Sequence, residues 1–159
     1  MSNNFVLGID PGTHRIGWGV VDGTPTRSHL VGCGCIELPR NTETAEYLLK
    51  IQSEIENIIL KYNPVKVGIE ALFAQKNLKT VLKVAEARGV ILYTLAKHDL
   101  SWRELSPNTV KSAVAGAGNA GKQDVERMVG LLLHIDTKKL LDDTTDALAI
   151  ALAVQATKL

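Results

Sequence analysis

The chain has 159 residues, 45% of them hydrophobic and 22% charged. That length suits one domain and that composition supplies a core, which excludes a repeat array, a multi-domain machine and a disordered chain. Lys and Arg number 18 against 17 Asp and Glu, a net charge of +1, so the molecule is no polycation and a polyanion must be met by a local patch.

The opening Met1-Ser2-Asn3-Asn4-Phe5 carries no basic stretch and meets Asp10 after one short apolar run, so it reads as a mature N-terminus rather than a signal peptide. Phe5 to Ile9, Ile16 to Asp22 and Leu30 to Leu38 read as strands of a meander, separated by the turn signals Asp10-Pro11-Gly12 and Gly23-Thr24-Pro25. Cys33 and Cys35, two apart on the third strand, point to one face and are expected to pack as small hydrophobes rather than to pair or to bind zinc. From Thr42 to Tyr62 apolar residues recur with a period near 3.6, capped by Asn41 or Thr42 and stopped by Asn63-Pro64, which predicts an amphipathic helix.

Val65 to Glu70 reads as a fourth strand and Asn77 to Lys97 as a second helix. Trp102 to Leu105 is a candidate fifth strand. Ser106-Pro107, an N-cap with proline at the first helical position, opens a helix that ends in the Gly-rich run Gly116 to Gly121. Helices are then expected over Lys122 to Leu133 and from Asp143 to the C-terminus. The longest apolar run, Ala147 to Val154, is well short of the roughly 20 residues of a membrane span, so a cytoplasmic protein is expected. The order β-β-β-α-β-α-β-α-α-α predicts an α/β fold in a single domain over 1–159, a mixed five-stranded sheet flanked by helices.

Four acids stand out. Asp10 and Glu70 end the first and fourth strands, where an α/β sheet opens toward its ligand crevice, and Asp143 and Asp146 lie three apart on one face of the last helix. Each has a local explanation: Asp10 as a turn opener, Asp143 as a cap, Asp146 as a partner of the helix dipole. Asp146, however, stands in the otherwise apolar Asp146-Ala-Leu-Ala-Ile-Ala-Leu-Ala, where a charge needs a partner. If the four converge, their repulsion calls for cations, and hard carboxylate oxygens select Mg²⁺ or Mn²⁺ over zinc. That is the chemistry of a two-metal phosphodiester displacement, which needs no side-chain nucleophile.

Positive charge is segregated. Residues 71–141 carry 11 Lys and Arg against 6 acids, a net of +5, while the two acid-bearing ends are each negative. Lys76, Lys79 and Lys83 recur at helical spacing and form either a DNA-facing stripe or a solvated helix face. Phe73, beyond Glu70, either stacks beside an unpaired base or packs on the sheet. The Gly116 to Gly121 loop before Lys122 either presents N–H groups to a phosphate or serves as a connector.

Taken in order, Gly8-Ile9-Asp10-Pro11-Gly12 with Gly17-Trp18-Gly19-Val20, Ile69-Glu70 with Phe73 and Lys76-Asn77, Ala87-Arg88-Gly89-Val90, Lys111 with Gly116-x-Gly118 and Lys122, and Asp143-x-x-Asp146-Ala147-Leu148-Ala149 resemble the RuvC family of bacterial Holliday junction resolvases. The resemblance implies a ribonuclease H-like fold, a homodimer, and Mg²⁺-dependent nicking of two opposed strands of a four-way DNA junction during recombination and repair. It implies two Mg²⁺ per subunit, with Mn²⁺ able to substitute, at Asp10, Glu70, Asp143 and Asp146. It implies base contacts from Phe73, phosphate contacts from Lys76, Lys111 and Lys122, and RuvA and RuvB as partners. The chain departs from the family pattern at Gln123-Asp124-Val125, where an acid follows the glutamine. Within the dimer, the small residues Ala85, Ala87 and Gly89 are the expected site of close helix approach. Two other functions stay open on the residues alone: a nucleotide-binding fold of the actin and hexokinase type, which needs two such lobes, and a junction-binding protein that does not cut.

Overall fold

A computed structural model describes residues 4–72 and 77–157 of the chain. The predicted element order is found: β1 (Val6–Pro11), β2 (Arg15–Thr24), β3 (Arg27–Glu37), α1 (Thr44–Tyr62), β4 (Lys66–Glu70), α2 (Leu78–Lys97), β5 (Trp102–Leu105), α3 (Pro107–Ala115), α4 (Lys122–Leu133) and α5 (Asp142–Ala156), with a short 3-10 turn at Thr137–Lys139 before α5. The strands form one mixed sheet in the order β3-β2-β1-β4-β5. The first three pair antiparallel as a meander, whereas β1 with β4 and β4 with β5 are parallel, as helical crossovers require.

Each face of the sheet carries helices. Ile51, Ile55 and Ile59 of α1 and Ala87, Ile91 and Leu95 of α2 pack with Leu7, Ile9 and Ile69 into one core. On the other face α3, α4 and α5 join Val6, Val21 and Leu105 in a second. Cys33 packs against this second core, and both thiols are free and half-buried on the edge strand, as small hydrophobes.

The start of α1 differs from expectation for a local reason, and the start of α4 is where expected. Neither Asn41 nor Thr42 caps α1, because the Thr42 N–H and hydroxyl both donate to the Pro39 carbonyl and close a turn before the helix. Glu43 stands at the cap instead. Asp124, the departure after Lys122, accepts a hydrogen bond from the Gly121 N–H at 3.3 Å, so the acid caps the start of α4. Ala87 is fully buried in the first core and cannot form a subunit contact, whereas Gly89 is exposed.

α5 is buried nearly all round, from Thr144 to Gln155 apart from Asp146. Its backbone lies directly on the sheet because the strands are bare of side chains beneath it. A Cβ on Gly8 would collide with the Ala147 carbonyl, and one on Gly17 with the Asp143 carbonyl. This close seating sets the height of the first turn of α5 above β1 and β2.

Candidate active site

Asp10 and Glu70 come together through strand register. β1 and β4 are parallel neighbours with Ile9 opposite Ile69, so the next residue of each ends its strand at the same edge. The two carboxyls share a hydrogen bond. α5 then delivers Asp143 and Asp146 over the same edge, since Asp143 rests above Gly17, which pairs with Asp10 across β1 and β2.

The electrostatics report the convergence. Burial, and after it the charges of Glu70, Asp146 and Asp143, push the Asp10 carboxyl up to about 9. Asp146 is raised to about 6, burial again leading, even though Lys122 opposes the shift. Glu70 is raised by burial, an effect its hydrogen bond with Asp10 counters. Acids in this condition hold a proton at neutral pH unless a cation takes its place.

Two cations border them. Arg15 Nη1 lies 3.9 Å from Asp143 Oδ2, and Lys122 Nζ lies 3.0 Å from Asp142 Oδ2 and 3.8 Å from Asp146 Oδ2. The hydrogen bond with Asp142, ahead of the other acids, holds the Lys122 ammonium above its ordinary range. Lys111 and Lys122 line a cavity of about 260 Å³ with Glu70 and Asp146, which puts both lysines at the mouth of the acid cluster. Sequence reasoning missed Arg15, which the hairpin pairing of Asp10 with Gly17 could have placed nearby. Asp142, which from the sequence competes with Asp143 for the same role and yields to it because only Asp143 stands three before Asp146, pairs with Lys122 at the mouth.

Among the other expected residues, Phe73 and Lys76 lie outside the described residues. Lys79 is exposed, and Lys83 sits 4.8 Å over the Tyr47 ring, so the stripe is partly a packed one. The Gly-rich run serves as a connector at its two ends, Gly116 closing α3 in a left-handed conformation and Gly121 opening α4.

The donor set fits a hard divalent cation in its chemistry: four carboxylates from three elements, one pushed up to about 9 by burial and, after it, by its acidic neighbours. Among the described residues no three acid, imidazole or thiol groups already form a finished ligand set. Asp143 is paired toward Arg15 and Asp146 toward Lys122, and those two side chains must turn inward to join Asp10 and Glu70.

Carboxylates gathered at one edge of a mixed sheet, with lysines across the mouth, define the class: a nuclease of ribonuclease H-like fold. A family model described as crossover junction endodeoxyribonuclease RuvC matches residues 6–154. The crossover junction endodeoxyribonuclease RuvC of Roseiflexus sp. (strain RS-1) is 41% identical over 152 residues, covering 96% of this chain and 90% of that protein. In structure the chain is similar to T. thermophilus RuvC in complex with Holliday junction substrate, with a TM-score of 0.89 and 28% identity over 94% of this chain and 91% of that one. The yeast mitochondrial Holliday junction resolvase Ydc2 shares the fold, with a TM-score of 0.71 at 14% identity over 95% of this chain and 77% of its own. The chain belongs to the RuvC family.

Proposed function

We propose that this protein resolves four-way DNA junctions by hydrolysing one phosphodiester in each of two opposed strands, with Asp10, Glu70, Asp143 and Asp146 holding two Mg²⁺ per subunit, for which Mn²⁺ can substitute. The observation that carries this reading is the convergence of Asp10 and Glu70, at neighbouring ends of parallel β1 and β4, with the acids at the start of α5, which seats Asp143 over Gly17 opposite Asp10. Divalent cations held there supply charge neutralisation and Lewis acidity at the scissile phosphate.

The chain's own residues do the rest. Asp10 and Glu70 form the floor, set by strand register and unable to recede. Asp143 and Asp146 close over it from a helix pinned to the sheet. Lys111 and Lys122 meet the flanking backbone phosphates and hold the strand against the acids, and Lys122 exchanges Asp142 for phosphate as DNA arrives. Phe73 and Lys76 are assigned to bases and backbone near the crossover by family resemblance.

Two opposed cuts need two sites, and α2 offers a surface for a second copy. Leu78, Leu82 and Tyr93 are 69%, 56% and 65% exposed along it. Exposed Gly89 lies between Leu82 and Tyr93 on that helix, and a Cβ there would meet nothing within 4 Å. An apolar stripe with a gap in it is a surface on which a symmetry-related helix can lie closely. RuvA and RuvB are the partners that the family membership supports, and the whole chain is one nuclease domain acting on cytoplasmic DNA. Among the described residues no helix is long and apolar enough to cross a membrane.

The deciding experiment is a nicking assay on a synthetic four-way junction with Mg²⁺ and with chelator. Nicks at symmetric positions only with Mg²⁺ are expected. Asp10→Asn and Glu70→Gln should abolish them while junction binding stays as strong or stronger. Loss of binding in step with cutting would make the acids structural.

A further inference from the structure

The acids of the site lie in a row across the sheet. In the strand order β3-β2-β1-β4-β5, Asp143 sits over Gly17 of β2, Asp10 ends β1 and Glu70 ends β4, with Asp146 on the Glu70 side. Lys111 and Lys122 border that second end of the row. The first end is bordered by Arg15.

Arg15 precedes Gly17 by two on β2, so its side chain rises on the face of the sheet that carries α5. Across the pairing of β2 with β3 it stands opposite Glu37, yet among the described residues no ion pair joins the two. The guanidinium leans toward Asp143 instead and reaches it with Nη1 alone, at 3.9 Å, beyond hydrogen-bond length. Its side chain is 51% exposed. An arginine that served to tie α5 to β2 would close a short contact, as Arg88 does with Glu104 at 2.7 Å. Here a planar fork of donors is left beside the acids, and its geometry matches a phosphate.

Position says which phosphate. β2 and β4 flank β1 at about 4.8 Å each. A DNA strand that lays its scissile phosphate over Asp10 and meets Lys111 and Lys122 on one side therefore passes Arg15 on the other. Asp143 must leave Arg15 to join Asp10 and Glu70 around a divalent cation, and the guanidinium it leaves then needs another anion.

Resting on the junction-nuclease reading above, we propose that Arg15 is a positioning residue that passes from Asp143 to a backbone phosphate on the Asp143 side of the cut. The strand is then clasped on both sides of the scissile bond. The same exchange releases Asp143 for the divalent cation, so junction and metal each favour the binding of the other.

Two measurements test the exchange. In chelator, where no strand is cut, junction affinity is followed against salt for wild type, Arg15→Gln and Arg15→Lys. The junctions are either unmodified or carry one uncharged methylphosphonate at each position flanking the cut. Arg15→Gln is expected to flatten the plot of log affinity against log salt by roughly one unit, and Arg15→Lys, which keeps the charge, to restore it. One methylphosphonate position should weaken wild type and leave Arg15→Gln unaffected, and it should fall across the cut from the position that Lys122→Gln makes silent. Calorimetry with Mg²⁺ and no DNA reads the other half: Arg15→Gln, with Asp143 unpaired, should bind the cation about two- to fivefold tighter. A merely structural role for Arg15 would weaken both bindings or neither. An unchanged salt slope in Arg15→Gln, coupling to a phosphate on the Lys122 side, or Mg²⁺ bound no more tightly would each overturn the exchange. Wild type that binds and nicks no four-way junction would overturn the nuclease reading itself, and this exchange with it.

Discussion

Burial beside Glu70, Asp146 and Asp143 holds the Asp10 carboxyl at about 9, against about 3.9 in an unfolded chain. At neutral pH the folded protein therefore keeps a proton that the unfolded chain has released. The folded state binds more protons, so stability falls as pH rises between those values, and below the lower one the contribution is complete. In chelator the thermal midpoint should drop steadily from pH 5 to 9, and Asp10→Asn should remove most of that slope. Divalent cations bind the deprotonated acids, so Mg²⁺ should raise the midpoint more at pH 9 than at pH 6. A wild-type slope equal to that of Asp10→Asn would show that the acids do not share one space. Lys111 and Lys122 make a separate prediction, since each phosphate neutralised adds roughly one unit to the salt dependence of binding. Lys111→Gln and Lys122→Gln should each flatten a plot of log affinity against log salt by about that amount, with folding little changed.

Among the elements, α5 is the one on which the site depends. Asp143 and Asp146, half of the acids, ride on its N-terminal end, and its position is set by glycines of β1, β2 and β4 rather than by its own sequence. Gly8→Ala would drive a Cβ into the Ala147 carbonyl, which is backbone and cannot turn aside. Overpacking of this kind costs about 1–3 kcal/mol. Urea midpoints should register that loss. Nicking should fall further than the folded fraction explains, because lifting α5 separates Asp143 and Asp146 from Asp10 and Glu70. A drop in activity matched by the loss of folded protein would mean that the helix keeps its height.

For the whole molecule, the exposed row Leu78, Leu82 and Tyr93 on α2 predicts that two copies pair through that helix. Sedimentation at micromolar concentration should give a particle of about twice 17.2 kDa. Leu82→Asp together with Tyr93→Asp should give a monomer that still binds a junction but nicks its opposed strands independently, leaving singly nicked products. Paired symmetric nicks from a strictly monomeric double variant would refute the two-copy arrangement. Of the small residues expected from the sequence, Gly89 lies on this face, whereas Ala87 faces the core.

What the amino-acid sequence determined by itself was periodic and local. The strand runs of β1 and β2 with the turn signals between them, the 3.6 period of α1 and the Ser106-Pro107 start of α3 each depend on neighbours a few residues away, and each is found in the structure. Asp10 and Glu70 were legible because strand ends are legible, and Asp146 because a charge inside an apolar run demands a partner. The tertiary structure decided what lies between distant segments. It closed the hairpin that sets Arg15 near Asp143, placed Lys122 against Asp142, and tied Arg88 of α2 to Glu104 of β5. Those contacts join residues 16 to 128 positions apart, and no local spacing encodes them. The physical reason is that side-chain proximity at this range follows from how helices seat on the sheet, and here that seating is controlled by missing side chains, at Gly8 and Gly17, rather than by any pattern of residues present.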